Sequence, residues 1–155
     1  MPSLRGVPIC GILGDQQAAL FGQACFGVGS IKATYGTGSF ILANAGEDLP
    51  VVRDGLITTV AWERNGQATY AYEGAAFVAG AAIQWLRDEL QIITSSAEVG
   101  PLAASVESAA GVAFIPAFTG LGSPWWRPQA RGALMGLGRD TTRAHIARAV
   151  VDALA

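Results

Sequence analysis

Apolar positions along the chain follow two periods, and each predicts its own element. Ile9-Cys10-Gly11-Ile12-Leu13 is a short apolar run that predicts a buried strand; Gly14 then turns the chain and Asp15 opens a segment of good helix formers through Phe21. Ile31–Tyr35 and Phe40–Asn44 predict two strands joined by the turn Gly36-Thr37-Gly38-Ser39. Asn44 to Asp54 is a polar connection. Leu56–Trp62 and Ala68–Tyr72 predict a second hairpin around Glu63-Arg64-Asn65-Gly66, where Asn-Gly is a turn signal. The spacing of Val78, Ala82, Trp85, Leu86 and Leu90 predicts a helix over Ala75–Leu90. A weaker, alanine-rich helical stretch runs from Thr94 to Ser108, and an apolar strand from Gly111 to Phe118. A glycine loop with Trp125 and Trp126 beside it leads to a last strand, Ala133–Leu137. Ile146, Ala149, Val150, Ala153 and Leu154 predict a final helix capped by Thr141 or Thr142.

Composition narrows the classes. Of 155 residues 51% are hydrophobic and only 14% charged, a balance that suits a domain covered by something else. The ends read as those of a segment cut from a longer protein. A net charge of −2 with no basic cluster gives no face for nucleic acid, and nine of the ten basic residues are Arg, with Lys32 the exception. The uncharged run from Ser108 to Trp126 is broken by glycines and prolines and is no membrane helix. Cys10 and Cys25 are too few and too unpatterned for a disulfide framework or a metal site, so buried free thiols and a cytoplasmic setting are expected.

Three places carry candidate chemistry. Asp15, at a strand–turn–helix junction, is either a plain helix cap or a general base at a sheet edge. The Gly36-Thr37-Gly38 tip either serves a tight turn or cradles phosphate through its N–H groups and the Thr37 hydroxyl. It is not a dinucleotide fingerprint, because a strand follows it. Gly80 and Gln84 lie four apart on one helix face, where a bare backbone suits a nucleotide or the close approach of another element. His145, the only histidine, falls on the polar side of the last helix beside Arg148 and Asp152 and has no Cys or His partner for a triad or a zinc site.

These blocks in their order resemble the glycerol kinases of the FGGY carbohydrate-kinase family, whose fold is the α/β, actin-like (ribonuclease H-like) ATPase domain with a mixed sheet and flanking helices. The segments that carry the resemblance are Gly14-Asp15-Gln16-Gln17-Ala18-Ala19-Leu20, Thr34-Tyr35-Gly36-Thr37-Gly38-Ser39-Phe40, Glu73-Gly74-Ala75 through Gln84-Trp85-Leu86-Arg87-Asp88, Pro116 to Gly122, and Gly132 to Asp152. The resemblance implies that residues 1–155 are the first part of the C-terminal domain, without the N-terminal polyol-binding domain and without the later segment that grips adenosine. It implies ATP and Mg²⁺ as cofactors, glycerol as substrate, and Asp15 as catalytic base near the metal. Gln16 and Phe40 would contact the polyol. Gly36, Thr37 and Gly38 would hold phosphate, and Gly80 and Gln84 the nucleotide. The sequence departs from the family at Arg127, where an Asp is usual, and at Leu4-Arg5-Gly6, which does not match the loop that binds fructose bisphosphate in some members.

Two other readings stand beside this one. A sister kinase for xylulose or gluconate shares the motifs. A non-catalytic, self-associating piece, forming homo-oligomers through a surface its missing domain would cover, fits the apolar composition.

Overall fold

The computed structural model describes residues 6–155; Met1 to Arg5, including part of the Leu4-Arg5-Gly6 departure, lie outside the described residues. Helix α1 (Asp15–Gly22) is followed by strands β1 (Ile31–Tyr35), β2 (Ser39–Gly46), β3 (Ile57–Arg64) and β4 (Gln67–Ala76). Helix α2 (Gly80–Asp88), a 3-10 turn (Ser96–Glu98) and α3 (Val99–Ala104) come next, then β5 (Ala113–Ile115), β6 (Ala133–Met135) and α4 (Arg143–Leu154).

The first four strands form one sheet in the order β1-β2-β4-β3. The expected sheet was mixed; the named pairings among the described residues are all antiparallel, and the one parallel contact is an isolated bridge between Phe118 and Gly120. Short turns impose this for β1–β2 and β3–β4, since consecutive strands joined by a few residues can only pair antiparallel. The β3–β4 loop is Asn65-Gly66 alone, with φ of 54° and 77°, the left-handed pair that a two-residue hairpin needs.

Two cores form. Leu20 of α1 packs with Cys25, Leu42, Ala61, Trp62 and Ala71 on one face of the sheet. Buried Asn44 secures the loop after α1 by donating to the carbonyls of Cys25 and Phe26 at 2.9 and 3.0 Å. The second core joins α2 and α4 to β5 through Val78, Ala82, Leu86, Ile93, Val112, Phe114 and Val150. Leu42 and Leu86 are fully buried, so truncating either to Ala costs about 2–5 kcal/mol.

Several expectations are corrected. Residues Ile9–Leu13 are not a buried strand: Ile9 and Ile12 are 81% and 84% exposed, and no described strand lies alongside to pair with them. Cys10 is exposed with them, and only Cys25 is a buried thiol. Helix α2 begins at Gly80, not Ala75, because Ala75 and Ala76 still pair with Phe40 and Ser39 in the sheet. The Thr94–Ser108 stretch keeps only six α-helical residues, and the two later strands shrink to three residues each. Thr142, one of the two expected caps, opens α4. His145 completes its capping box by accepting the Thr142 N–H at 3.1 Å, so the lone histidine has a structural role.

Candidate active site

The backbone of Gly14 provides the N-cap of α1, and the Gly14 carbonyl accepts the Ala18 N–H at 2.8 Å. Asp15 is therefore the first helical residue, not the cap. Its carboxylate makes no bond one turn into the helix; Oδ1 accepts the adjacent Gln16 N–H at 2.9 Å, and the side chain is exposed. An exposed carboxylate at a helix N-terminus is open to a ligand.

Gln16, half-buried, points towards the sheet. Lys32 Nζ donates to Gln16 Oε1, to Thr34 Oγ1 at 2.9 Å and to the Phe40 carbonyl at 3.4 Å. These bonds tie α1 to β1 and β2. Gln16 and Phe40, which the family resemblance implies as polyol contacts, thus share one buried ammonium. Strand register explains the meeting: Lys32 faces Leu42, and Leu42 faces Glu73, so all three point to the α1 side of the sheet. Burial pushes the Lys32 ammonium below the ordinary lysine value, while the charges of Glu73, Asp15 and Cys25 partly oppose the shift.

Beyond β1 the hairpin tip meets α2. The Thr37 carbonyl accepts the N–H groups of Ala79 (2.8 Å) and Ala81 (3.1 Å), and the Gly36 carbonyl accepts that of Gly80 (2.8 Å). The N-terminal amides of α2 are consequently spent on the hairpin. Gly36 N–H turns back to the Gly38 carbonyl at 2.8 Å, whereas Thr37 N–H and Gly38 N–H have no backbone acceptor among the described residues. A Cβ on Gly80 would stand 2.5 Å from the Gly36 oxygen, so the close approach foreseen for Gly80 is that of the hairpin itself. Gln84 is exposed one turn further along α2.

Asp15, Gln16, Phe40 and Lys32 therefore form one group, and Gly36, Thr37, Gly38 and Gly80 another at the far end of β1. Sequence reasoning missed Lys32. The signal was available: the chain's only lysine sits on a strand, two residues before Thr34 and on the same face. A cavity of about 440 Å³ between Phe77, Phe114, Leu121, Trp125 and Ala153 has no titratable lining residue and offers no acid–base chemistry. Trp125 walls this cavity, and Trp126 Nε1 donates to the Gly55 carbonyl at 2.9 Å. No group of three or more His, Cys, Asp or Glu residues that could hold a metal occurs among the described residues. Among them, too, no helix is long and apolar enough to cross a membrane.

Residues 31–155 match the C-terminal domain of the FGGY family of carbohydrate kinases, and the chain belongs to that family. The match begins at β1, so Asp15 and Gln16 precede it. The chain is 57% identical to a glycerol kinase of Acinetobacter baylyi over 149 residues, and 58% identical to glycerol kinase 1 of Saccharolobus solfataricus over 151. In both cases 96% of this chain is matched, and it spans about 30% of the length of these curated relatives. Among solved structures it is similar to Plasmodium falciparum glycerol kinase with ADP, with a TM-score of 0.83 and 41% identity over 94% of this chain and 29% of that one. A xylulose kinase from Rhodospirillum rubrum superimposes with a TM-score of 0.75 at 26% identity over 99% of this chain and 30% of that one.

Proposed function

We propose that residues 1–155 are the first part of the C-terminal domain of an ATP-dependent glycerol kinase, forming one wall of a site that an N-terminal polyol-binding domain completes. The observation that carries this reading is an exposed carboxylate, Asp15, beside Gln16 at the start of α1, in a chain whose hairpin tip leaves the Thr37 and Gly38 N–H groups without a backbone acceptor among the described residues.

Phosphoryl transfer needs positioning and charge neutralisation more than covalent help from the protein. In the proposed reaction Asp15 takes the proton of a terminal glycerol hydroxyl as its oxygen bonds to the γ-phosphorus of ATP; the bond to the β–γ bridging oxygen breaks and ADP leaves with that electron pair. Gln16 holds a second hydroxyl, and the Phe40 ring lines the carbon skeleton. Thr37 and Gly38 N–H groups and the Thr37 hydroxyl hold phosphate oxygens, flanked by Gly36, while Gly80 and Gln84 border the nucleotide. A lone carboxylate fits Mg²⁺, which is usually held by one or two carboxylates together with phosphates and water; bound at Asp15 it supplies neutralisation of the developing phosphate charge. Free thiols at Cys10 and Cys25 suit a cytoplasmic enzyme.

Glycerol is preferred over a pentulose or gluconate because the relatives at 57% and 58% identity are glycerol kinases, whereas the xylulose kinase fold matches at 26%. A substrate panel on the full-length protein with magnesium and ATP tests this. Turnover of glycerol is expected; turnover of xylulose with none of glycerol overturns it.

A second reading applies to the 155 residues alone: a non-catalytic piece that self-associates into homo-oligomers. Ile31, Tyr35 and Ile41 favour it, since they lie exposed on the sheet face turned away from α1.

A further inference from the structure

The reading above gives Lys32 no part, yet its environment is built with care. The residue is 4% exposed, a costly place for an ammonium. An ammonium has three donors and no acceptor capacity. Here those donors meet three neutral acceptors from three different elements: Gln16 Oε1 on α1, Thr34 Oγ1 on β1 and the Phe40 carbonyl on β2. The ion pairs among the described residues are Arg87–Asp88 and Arg148–Asp152, so Lys32 belongs to none. A buried charge satisfied wholly by dipoles orients those dipoles.

The consequence falls on Gln16. An amide presents an oxygen on one side and an NH2 group on the other, and a free side chain can turn either outward. Lys32 can only donate, so the oxygen must face it. The NH2 group then faces away, and it has no acceptor among the described residues. Beside it stands Asp15, which when ionised can only accept. Two adjacent residues of α1 thus offer opposite polarities, one donor and one acceptor.

We propose that Lys32 is a positioning residue that locks the Gln16 amide with its NH2 group outward, making Gln16 an obligate donor to a second polyol hydroxyl beside the one Asp15 deprotonates. The proposal rests on the kinase reading and adds to it the polarity of one substrate contact. The ammonium also polarises the amide and strengthens its N–H donors. A polyol whose oxygen at that position can accept is favoured. A substrate offering only a donor there is refused, because two N–H vectors would meet.

The test uses full-length protein with Lys32→Met, Gln16→Ala, the double variant and Gln16→Glu, each assayed for glycerol KM, ATP KM and kcat. Lys32→Met is expected to raise the glycerol KM on the order of tenfold, as for loss of one neutral hydrogen bond, with the ATP KM unchanged. Because Lys32 acts through Gln16, the double variant should be no worse than Gln16→Ala alone. Gln16→Glu keeps a partner for Lys32 and loses the donor, so it folds and shows the same rise; it serves where Lys32→Met does not fold. An unchanged glycerol KM in Lys32→Met or in Gln16→Glu, additive effects in the double variant, or an equal rise in ATP KM each overturns the proposal. Wild-type protein that does not phosphorylate glycerol overturns the kinase reading and this proposal with it, whereas active wild type with unaffected variants overturns the proposal alone.

Discussion

Gly80 donates its N–H to the Gly36 carbonyl over 2.8 Å, and a Cβ on Gly80 would stand 2.5 Å from that same oxygen. Helix and hairpin are in contact through backbone alone, and neither can yield as a flexible side chain would. Gly80→Ala is therefore expected to push the tip away from α2 and to destabilise the protein by about 1–3 kcal/mol, the usual cost of overpacking. In the full-length enzyme the ATP KM should rise more than the glycerol KM. Thermal unfolding and steady-state kinetics check both parts; a variant with unchanged melting temperature and ATP KM contradicts this account of the tip.

The capping box at α4 predicts a change in stability without a change in chemistry. Thr142→Ala removes the side-chain cap and keeps the backbone N–H that His145 accepts, costing about 1 kcal/mol. His145→Ala should cost less and leave kcat and both KM values at wild-type levels. A fall in kcat for His145→Ala would show that the histidine does more than cap.

Lys32 gives a pH dependence of defined sign. Its folded-state value lies below that of the unfolded chain because burial disfavours the charge, and the nearby charges of Glu73, Asp15 and Cys25 only partly restore it. Below the folded value both states carry the proton and the full penalty is present. As pH rises from there towards 10.5, the unfolded state binds more protons, so this group's contribution to stability improves. Comparing wild type with Lys32→Met, the difference in melting temperature should move in favour of wild type between pH 7 and pH 10. A shift the other way contradicts the burial of a charged Lys32.

The isolated 155-residue chain leaves Ile9, Ile12, Ile31, Tyr35 and Ile41 exposed. Light scattering should find it associated at micromolar concentration, and Ile31→Lys with Ile41→Lys should reduce the association. A clean monomer at high concentration would show that the sheet face needs no cover.

Much of the hairpin layer was legible in the sequence because its signals are local. Asn65-Gly66 and Gly36-Thr37-Gly38 mark their own turns. The faces of β1 were not legible, since apolar Ile31 and Tyr35 are exposed while Lys32 between them is buried. The Ile9–Leu13 run was misread because apolar composition says what needs cover, not whether a pairing strand is present. Helix α2 was started too early because Ala75 and Ala76 are good helix formers that cross-strand pairing with Phe40 and Ser39 holds in β4. In the candidate site, Asp15 and the glycine tip stood out as residue types. Lys32 did not, since its role comes from a register that brings Gln16, Thr34 and Phe40 around it from three elements.

The account turns on Asp15, whose carboxylate is exposed at the first position of α1 while Gly14 supplies the cap. Asn in its place loses only the attraction between a carboxylate and the helix N-terminus, about 0.3–1 kcal/mol. The most direct measurement is the kcat of full-length Asp15→Asn with glycerol and magnesium-ATP, taken beside its melting temperature. The expected result is a fall in kcat of roughly 10²–10⁴-fold, the range for loss of a general base, with the melting temperature nearly kept. A kcat within a few-fold of wild type, with lowered stability, would make Asp15 a structural residue and contradict the kinase site described above.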